Sequence, residues 1–228
     1  MNKLKMLLKA SRLQLRLYLC GVAGLVAISL LVDIILLLSL PEGENSHVSA
    51  SNIMTVFLVL ASTVLPFASF KRIINLGATR KEYYTGLLIS YVFWAIIFAV
   101  FNIAWLKLEI GLSDSLHSRY MNILEIFHWD QFGVAGMFVY QLGIYLLLMS
   151  VFNLLFSGIR HVTGWILWVV FIAAIPIMTS IPTLRSSLGD GFKVLLYNDS
   201  LLQGFGITFL SSCVLFTCGW LFTRTRAF

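Results

Sequence analysis

The chain has 228 residues, of which 59% are hydrophobic and only 11% are charged, and its formal net charge is +6. A soluble domain carries roughly 25% charged residues, so this composition excludes an ordinary soluble fold, which would leave large apolar areas in water. The mean hydropathy of +0.91 is typical of a protein that crosses a membrane several times. No polar stretch is long enough to form a separate soluble domain, and we therefore predict one membrane domain over residues 1–228.

The first segment of the chain is basic. Residues 1–16 contain five Lys or Arg interleaved with five Leu. This mixture predicts a helix that lies along an anionic membrane surface, and a plain basic flank of the first span is the alternative. The apolar run at 17–40 exceeds the roughly 30 Å hydrocarbon thickness at about 1.5 Å per residue, so it predicts the first span. It is also longer than the apolar core of a signal peptide, so we expect it to be retained.

Five further apolar runs predict five further spans and hence an all-α fold. A short polar loop at 41–47 leads to a second span at 52–70, in which Pro66 is expected to bend the helix. Residues 123–129 predict a short helix at the membrane interface, where Trp is favoured, and residues 183–203 predict a loop of mixed character. The remaining spans are predicted at 85–106, 132–156, 164–182 and 204–222.

The distribution of charge predicts the orientation of the chain. The N-terminus, residues 71–84, residues 157–163 and the C-terminal tail together hold 12 of the 16 Lys and Arg, whereas the other three loops hold eight of the ten acids. The positive-inside rule therefore places both termini and residues 71–84 in the cytoplasm. Because the bases lie between apolar runs and form no basic stripe on a soluble face, we do not expect a nucleic-acid partner.

Residues 71–84, which we call the basic turn, are the most informative polar segment. Gly77 suits the left-handed position that ends a helix, because it has no Cβ to clash there. Thr79 and Glu82 have the spacing of a capping box, in which each residue binds the backbone N–H of the other. The pattern therefore predicts a helix, a tight stop and a second helix. The basic turn contains four bases, Lys71, Arg72, Arg80 and Lys81.

Asp33 is the only acid inside a predicted span. An ionisable group at that depth is unfavourable unless it faces protein or water, which makes it a candidate for function. Asn102 and Gln141 are expected at a similar depth and could hydrogen-bond to Asp33. Two interpretations remain open: these residues line a substrate path or proton relay, or they hold helices together inside the bilayer.

No motif in the sequence predicts catalysis or metal binding. The phosphate-binding pattern G-x-x-x-x-G-K-[ST], the zinc motif H-E-x-x-H and the nucleophile motif G-x-S-x-G are absent. The three cysteines match neither a zinc spacing nor a disulfide framework. We expect no metal and no cofactor in this chain. The four histidines all lie in predicted loops and are scattered over both faces of the membrane, at His47, His117, His128 and His161.

The basic turn and the span count carry a family resemblance. The segment Phe70-Lys71-Arg72, followed by Leu76-Gly77-Ala78-Thr79-Arg80-Lys81 and Tyr83 after the second of six spans, resembles the permease subunit of bacterial type-2 ABC exporters in their small six-span form. The topological resemblance covers nearly the whole chain, and the motif covers about fifteen residues. It implies a non-enzymatic, multi-pass plasma-membrane subunit that pairs with a second copy or a paralogue. A cytoplasmic ATPase dimer, which binds ATP and Mg, would drive it.

By this resemblance, residues 71–82 would couple the permease to its ATPase. Ile73, Ile74 and Leu76 would offer apolar contacts, the four bases would offer charge pairing, and Gly77, Thr79 and Glu82 would fix the shape. The expected cargo is a peptide, a lipid-like molecule or a drug-like molecule, including antimicrobial-peptide export or immunity. Two other classes remain open: a membrane-embedded enzyme, and a stand-alone immunity or regulatory membrane protein.

Overall fold

The structure is a computed structural model that describes residues 3–39, 46–116 and 119–226. His117 and most of the predicted loop at 41–47 lie outside the described residues. The described chain is almost entirely helical, as predicted. Six helical segments are long and apolar enough to cross a membrane, which is the architecture of a multi-pass all-α membrane protein. They are Leu15–Ile35, Ala50–Asn75, Arg80–Gly111, Trp129–Gly158, Val162–Ser180 and Leu201–Thr225.

The first helix, α1, runs without a break over Lys3–Ser39. The described part of residues 1–16 is therefore not a separate helix but continues directly into the first span, and its position along a membrane surface stays a prediction. Neither Gly nor Pro occurs between Lys3 and Cys20, so nothing in the local sequence ends the helix at residue 16.

The second span is a composite helix that extends to Asn75, beyond its predicted end at residue 70. Its hydrogen bonding changes from α to π around Pro66, since proline lacks the N–H that an α-helix requires. Arg72 consequently lies in the last turn of this span, and Lys71 directly precedes it. In chain order its parts are α2 (Ala50–Ile53), α3 (Thr55–Val64), a π-helical turn (Leu65–Ser69) and α4 (Phe70–Asn75).

The third span belongs to α5, which runs over Arg80–Leu116 and reaches ten residues past its predicted end. After it, β2 (Arg119–Met121) pairs in parallel with β1 (Ser46–Val48), a feature that was not predicted. The short helix expected near residue 123 is present as α6 (Ile123–Ile126). Trp129 is only 1% exposed, so its side chain packs in the protein core.

The described chain from Gly133 onward contains four α-helices. The segment predicted as a loop at 183–203 is mostly helical, because Pro182 suits the first helical position and Leu184, Leu188 and Leu195 recur at helical spacing. After a 3₁₀ turn at Trp129–Phe132, the helices are α7 (Gly133–Gly158), α8 (Val162–Ser180), α9 (Pro182–Leu196) and α10 (Leu201–Thr225).

The second, third and fourth spans form the centre of the molecule. Between 44 and 50% of each is buried inside the chain, against 11, 6 and 17% of the first, fifth and sixth spans. Helix α10 approaches α7 closely because both carry glycines there; a Cβ on Gly204, for instance, would lie 2.5 Å from the Tyr140 ring. The apolar faces of α1 and α8 point away from the chain, as suits helices that contact lipid.

The two ends of the helix bundle differ in character. One end, which we call the turn end, brings together the basic turn, the α7–α8 connection and the end of α10; there a His161 ring nitrogen lies 3.1 Å from the Phe222 carbonyl. The opposite end, the loop end, contains β1, β2 and α9. At the loop end Trp129 donates to the Leu196 carbonyl and Tyr140 to the Leu195 carbonyl, each at 2.8 Å.

Candidate functional site: the basic turn and the buried polar residues

The local geometry predicted for the basic turn is confirmed. Gly77 has a left-handed backbone with φ of 85°. The Thr79 N–H donates to Glu82 Oε2 at 2.8 Å, and the Glu82 N–H donates to Thr79 Oγ1 at 3.2 Å. The second and third spans are thus joined by a connection of only four residues, 76–79, whose conformation is fixed on both sides.

The side chains of the basic turn divide between the core and the surface. Leu76 is 55% exposed, whereas Ile73 is only 4% exposed and packs in the core, and Ile74 is half-buried. Of the three apolar side chains expected to face a partner, only that of Leu76 is therefore exposed. Three of the four bases are exposed, namely Lys71, Arg72 and Lys81.

We expect Gly77→Val to lower the free energy of unfolding by about 1–2 kcal/mol, because a β-branched residue is disfavoured at positive φ. No atom lies within 4 Å of a Cβ built at this position, so the loss would report backbone strain and not a clash. Gly77→Asn is the matched control, since Asn tolerates this conformation and should lose less. Equal melting temperatures for both variants in detergent would contradict this account.

The fourth base, Arg80, joins the basic turn to the end of α10. Its Nη1 donates to the backbone carbonyl of Arg224. Nearby, the π-helical turn of the second span is held by two further side chains: Tyr83 donates to the Leu65 carbonyl at 2.9 Å, and Arg226 donates to the Pro66 carbonyl at 2.7 Å. The basic turn is therefore tied to both its flanking span and the last helix.

Arg226 is a functional candidate that sequence reasoning missed. It is 2% exposed, and its guanidinium carbon lies 4.5 Å from the centre of the Phe70 ring, a cation–π distance. In the sequence it resembled one more base that follows the last span. Arg226 and Pro66 are 160 residues apart, and no spacing rule connects positions so distant.

A buried group of polar residues occupies the loop end; we call Ser49, Ser51, Asn102, Glu109 and Asn122 the loop-end cluster. The Asn122 amide nitrogen lies 3.1–3.3 Å from an oxygen of each of the other four residues. The Asn122 amide oxygen accepts from the Leu124 N–H at 3.0 Å, which caps α6 and fixes the orientation of the amide. One amide group thus joins the start of the second span, α5 and the segment after β2.

Glu109 brings a carboxylate into the loop-end cluster. It is 4% exposed and also accepts from Trp105 Nε1 at 2.7 Å. The sequence placed Glu109 in a polar loop, but α5 continues to Leu116 and carries it into the protein. Burial raises the pKa of Tyr120, and the nearby charges of Asp33 and Glu109 raise it further. Asp33 therefore lies at the same end of the molecule as Glu109.

The two amides that were expected to bind Asp33 have other hydrogen-bond partners. Asn102 accepts from Ser51 at 2.6 Å, and Gln141 donates to the Tyr145 hydroxyl at 2.7 Å. Gln141 therefore lies beside Tyr145, whereas the Asn102 amide nitrogen is buried and has no hydrogen-bond partner among the described residues. The hydrogen bond from either amide to Asp33 is not formed, and that part of the prediction is wrong.

A second polar group lies nearer the turn end. Asn153 donates to the Tyr84 hydroxyl at 3.2 Å and accepts from the Tyr91 hydroxyl at 3.2 Å. Together with Gln141 and Tyr145, Asn153 belongs to a polar row on α7 whose consecutive members lie four or eight residues apart, and Tyr91, which binds Asn153, also donates to the Ser62 carbonyl of α3. This spacing was visible in the sequence and could have identified the row, which holds the three central helices together in lipid.

Comparison with known proteins gives no match: no family model, no curated protein and no solved structure is significantly similar to this chain. Within the described ranges, His, Cys, Asp and Glu side chains do not gather in groups of three or more that could hold a metal ion. The fold therefore defines the class, a multi-pass all-α membrane protein, and the functional argument depends on its own residues.

Proposed function

We propose that this chain is the membrane-spanning subunit of an ATP-driven ABC exporter, and that residues 71–82 form the surface on which a separate ATPase acts. The observation that carries the proposal is the basic turn. It is short and capped, and it exposes Leu76 beside Lys71, Arg72 and Lys81 at one end of six apolar helices. The excess of positive charge at this end supports a cytoplasmic location.

The stiffness of the basic turn supports a coupling role. A segment that transmits movement from a soluble subunit to membrane helices must not deform locally when it is pushed. The left-handed Gly77 and the Thr79–Glu82 capping box fix its shape, and Arg80 links it to the end of α10. A displacement of the basic turn would therefore move the second, third and sixth spans together.

The other parts of the proposal are those expected of an ABC exporter. ATP hydrolysis would occur on the ATPase, which holds ATP and Mg, and this chain would contribute the path through the plasma membrane. The cargo would be a peptide, a lipid-like molecule or a drug-like molecule, including an antimicrobial peptide. The outward apolar faces of α1 and α8 suit contact with lipid and with a second permease copy or paralogue.

We expect Leu76→Asp and Lys81→Glu each to reduce the amount of co-purifying ATPase about tenfold, because the first places a charge in an apolar contact and the second reverses a charge that would pair with the ATPase. The tagged full-length chain would be purified from its native host in mild detergent. Mass spectrometry would then quantify any partner that carries Walker motifs, and vesicles would measure transport. These two positions are preferable to Arg80, since Arg80 also binds the Arg224 carbonyl within the chain.

Arg185→Glu is the matched control, because it reverses an exposed base on α9 at the loop end. It should leave the ATPase bound. If the basic-turn variants keep both the complex and transport, the coupling assignment is wrong. If the wild-type chain retains no ATPase, the exporter proposal fails and a stand-alone membrane protein becomes the better interpretation.

A further inference from the structure

Arg226 has hydrogen-bonding capacity that the described chain does not use. Its Nη1 binds the Pro66 carbonyl, and its guanidinium stacks on Phe70. Its other two nitrogens, Nε and Nη2, are buried and have no hydrogen-bond partner among the residues that the structure describes. A charged group that is withdrawn from water in this way is unfavourable unless an anion or another acceptor joins it.

The two unused nitrogens define the geometry of the missing partner. Nε and Nη2 form one edge of the planar guanidinium, and their N–H bonds are parallel. Such an edge binds two oxygens of one carboxylate or phosphate at once, which is the strongest and most specific way in which Arg binds anions. The edge therefore selects an anion with two adjacent oxygens.

The charges around Arg226 favour the same kind of ligand. Arg160 is exposed, and it lies beside the end of α10 because the ring of the next residue, His161, is 3.1 Å from the Phe222 carbonyl. Burial and, next, the Arg160 charge lower the pKa of the Arg226 guanidinium, which nonetheless stays protonated. Arg80 and Arg224 lie at the same end of the molecule. The acid of the basic turn, Glu82, is engaged with Thr79 in the capping box. An anion between Arg160 and Arg226 would relieve the repulsion between them.

We propose that Arg226 and Arg160 form a binding site for the phosphate of an anionic membrane lipid at the turn end. The location selects a lipid: Pro66 and Phe70 belong to the second span, and Arg226 directly follows the sixth, so the site lies where helices leave the bilayer. Basic pockets at this level bind lipid headgroups. Phe67, which is 51% exposed, offers an apolar surface for the acyl chains.

Lipid binding at this site requires a small local rearrangement. The unused edge of Arg226 is covered in the structure, whereas Arg160 is exposed, so the phosphate would contact Arg160 first. Displacement of the atoms over Arg226 would then bring the phosphate onto the Nε–Nη2 edge. The inference does not depend on an ATPase partner, and its test is independent of the coupling experiment.

The test measures thermal unfolding of the delipidated full-length chain in detergent. We expect phosphatidylglycerol to raise the melting temperature, and phosphatidylcholine with the same acyl chains or inorganic phosphate to raise it less. Arg160→Gln and Arg226→Lys should each weaken the apparent affinity for phosphatidylglycerol roughly tenfold, since each removes charge-assisted hydrogen bonds to the phosphate. Arg185→Gln on α9 is the control variant and should respond like the wild type.

Several results would overturn the proposal. They are equal stabilisation by the two lipids, an unchanged phosphatidylglycerol response in both site variants, and a response to inorganic phosphate as large as that to the lipid. If Arg226→Lys loses a co-purifying ATPase while its response to phosphatidylglycerol is unchanged, the Arg226 edge binds a carboxylate of a protein partner and the lipid proposal is wrong. If Arg226→Lys does not fold, Arg160→Gln decides the question alone, because the Arg160 side chain is exposed.

Discussion

Gly164→Ala is expected to lower the free energy of unfolding by about 3 kcal/mol, at the upper end of the usual effect of overpacking. A Cβ on Gly164 would lie 1.9 Å from the Gly158 carbonyl oxygen and 2.7 Å from the Gly158 Cα. These are backbone atoms, so no rotation of a side chain can relieve the clash. Only a movement of the α7–α8 connection can accommodate the extra methyl group.

The position of α8 depends strongly on this connection. Its N-terminal residues are held where His161 donates its N–H to the Gly158 carbonyl at 2.8 Å, and farther along the helix Trp168 donates to the Leu155 carbonyl at 3.1 Å. Only 6% of this span is buried in the chain, so little other contact fixes it. Gly164→Ala should therefore shift or release α8 from α7.

Gly206→Ala on α10 is the matched control for this prediction. No atom lies within 4 Å of a Cβ at that position. Since alanine favours a helix over glycine by up to about 1 kcal/mol, Gly206→Ala should be neutral or slightly stabilising. Thermal unfolding of both variants in the same detergent measures the difference. If the two variants melt at the same temperature, the close backbone contact between Gly158 and Gly164 is not what holds α8.

The features that the sequence predicted correctly are those that obey local rules. Apolar runs long enough to cross a bilayer identify the six spans, and the positive φ of Gly77 and the Thr79–Glu82 capping box follow from residue type and spacing within one turn. The boundaries were less accurate, since polar residues at the ends of α5 were interpreted as loop. That error placed Glu109 in solvent, although α5 carries it into the core.

The features that were missed depend on contacts between distant segments. Ser46–Val48 and Arg119–Met121 are too short to show a strand pattern, and only their meeting at the loop end makes them a parallel pair. The contact of Arg226 with Pro66 joins two spans that are distant in the sequence. Asp33 interrupts an apolar run, so the sequence identifies it easily. The more deeply buried carboxylate, however, is that of Glu109, which no local pattern identifies.

Asn122→Asp is expected to lower the free energy of unfolding by about 3–5 kcal/mol, the range observed when one partner of a buried charged group is removed. The substitution keeps the size of the side chain and the oxygen that caps α6. It replaces the nitrogen that lies near four oxygens by a fifth oxygen, 3.2 Å from the Glu109 carboxylate. The loop-end cluster would then contain two carboxylates and fewer donors.

The matched control is Asn198→Asp at the same end of the molecule. Asn198 also accepts a backbone N–H through its amide oxygen, from Ser200 at 2.9 Å, but its nitrogen donates only to the nearby Val194 carbonyl. Its side chain is partly exposed, so water can replace the lost bond. We expect a loss below about 1 kcal/mol, because a solvated hydrogen bond contributes little.

A double variant tests whether Asn122→Asp destabilises the protein through the lost hydrogen bonds or only because any change at this buried position is unfavourable. Glu109→Gln combined with Asn122→Asp exchanges donor and acceptor: the new amide can donate to the new carboxylate, while its oxygen still accepts from Trp105. The exchange also keeps one negative charge in the loop-end cluster. We expect the double variant to recover at least half of the stability that Asn122→Asp loses, because coupled neighbours deviate from additivity. If it is no more stable than Asn122→Asp alone, the position tolerates no change for steric reasons and the amide does not act as the donor that joins these segments.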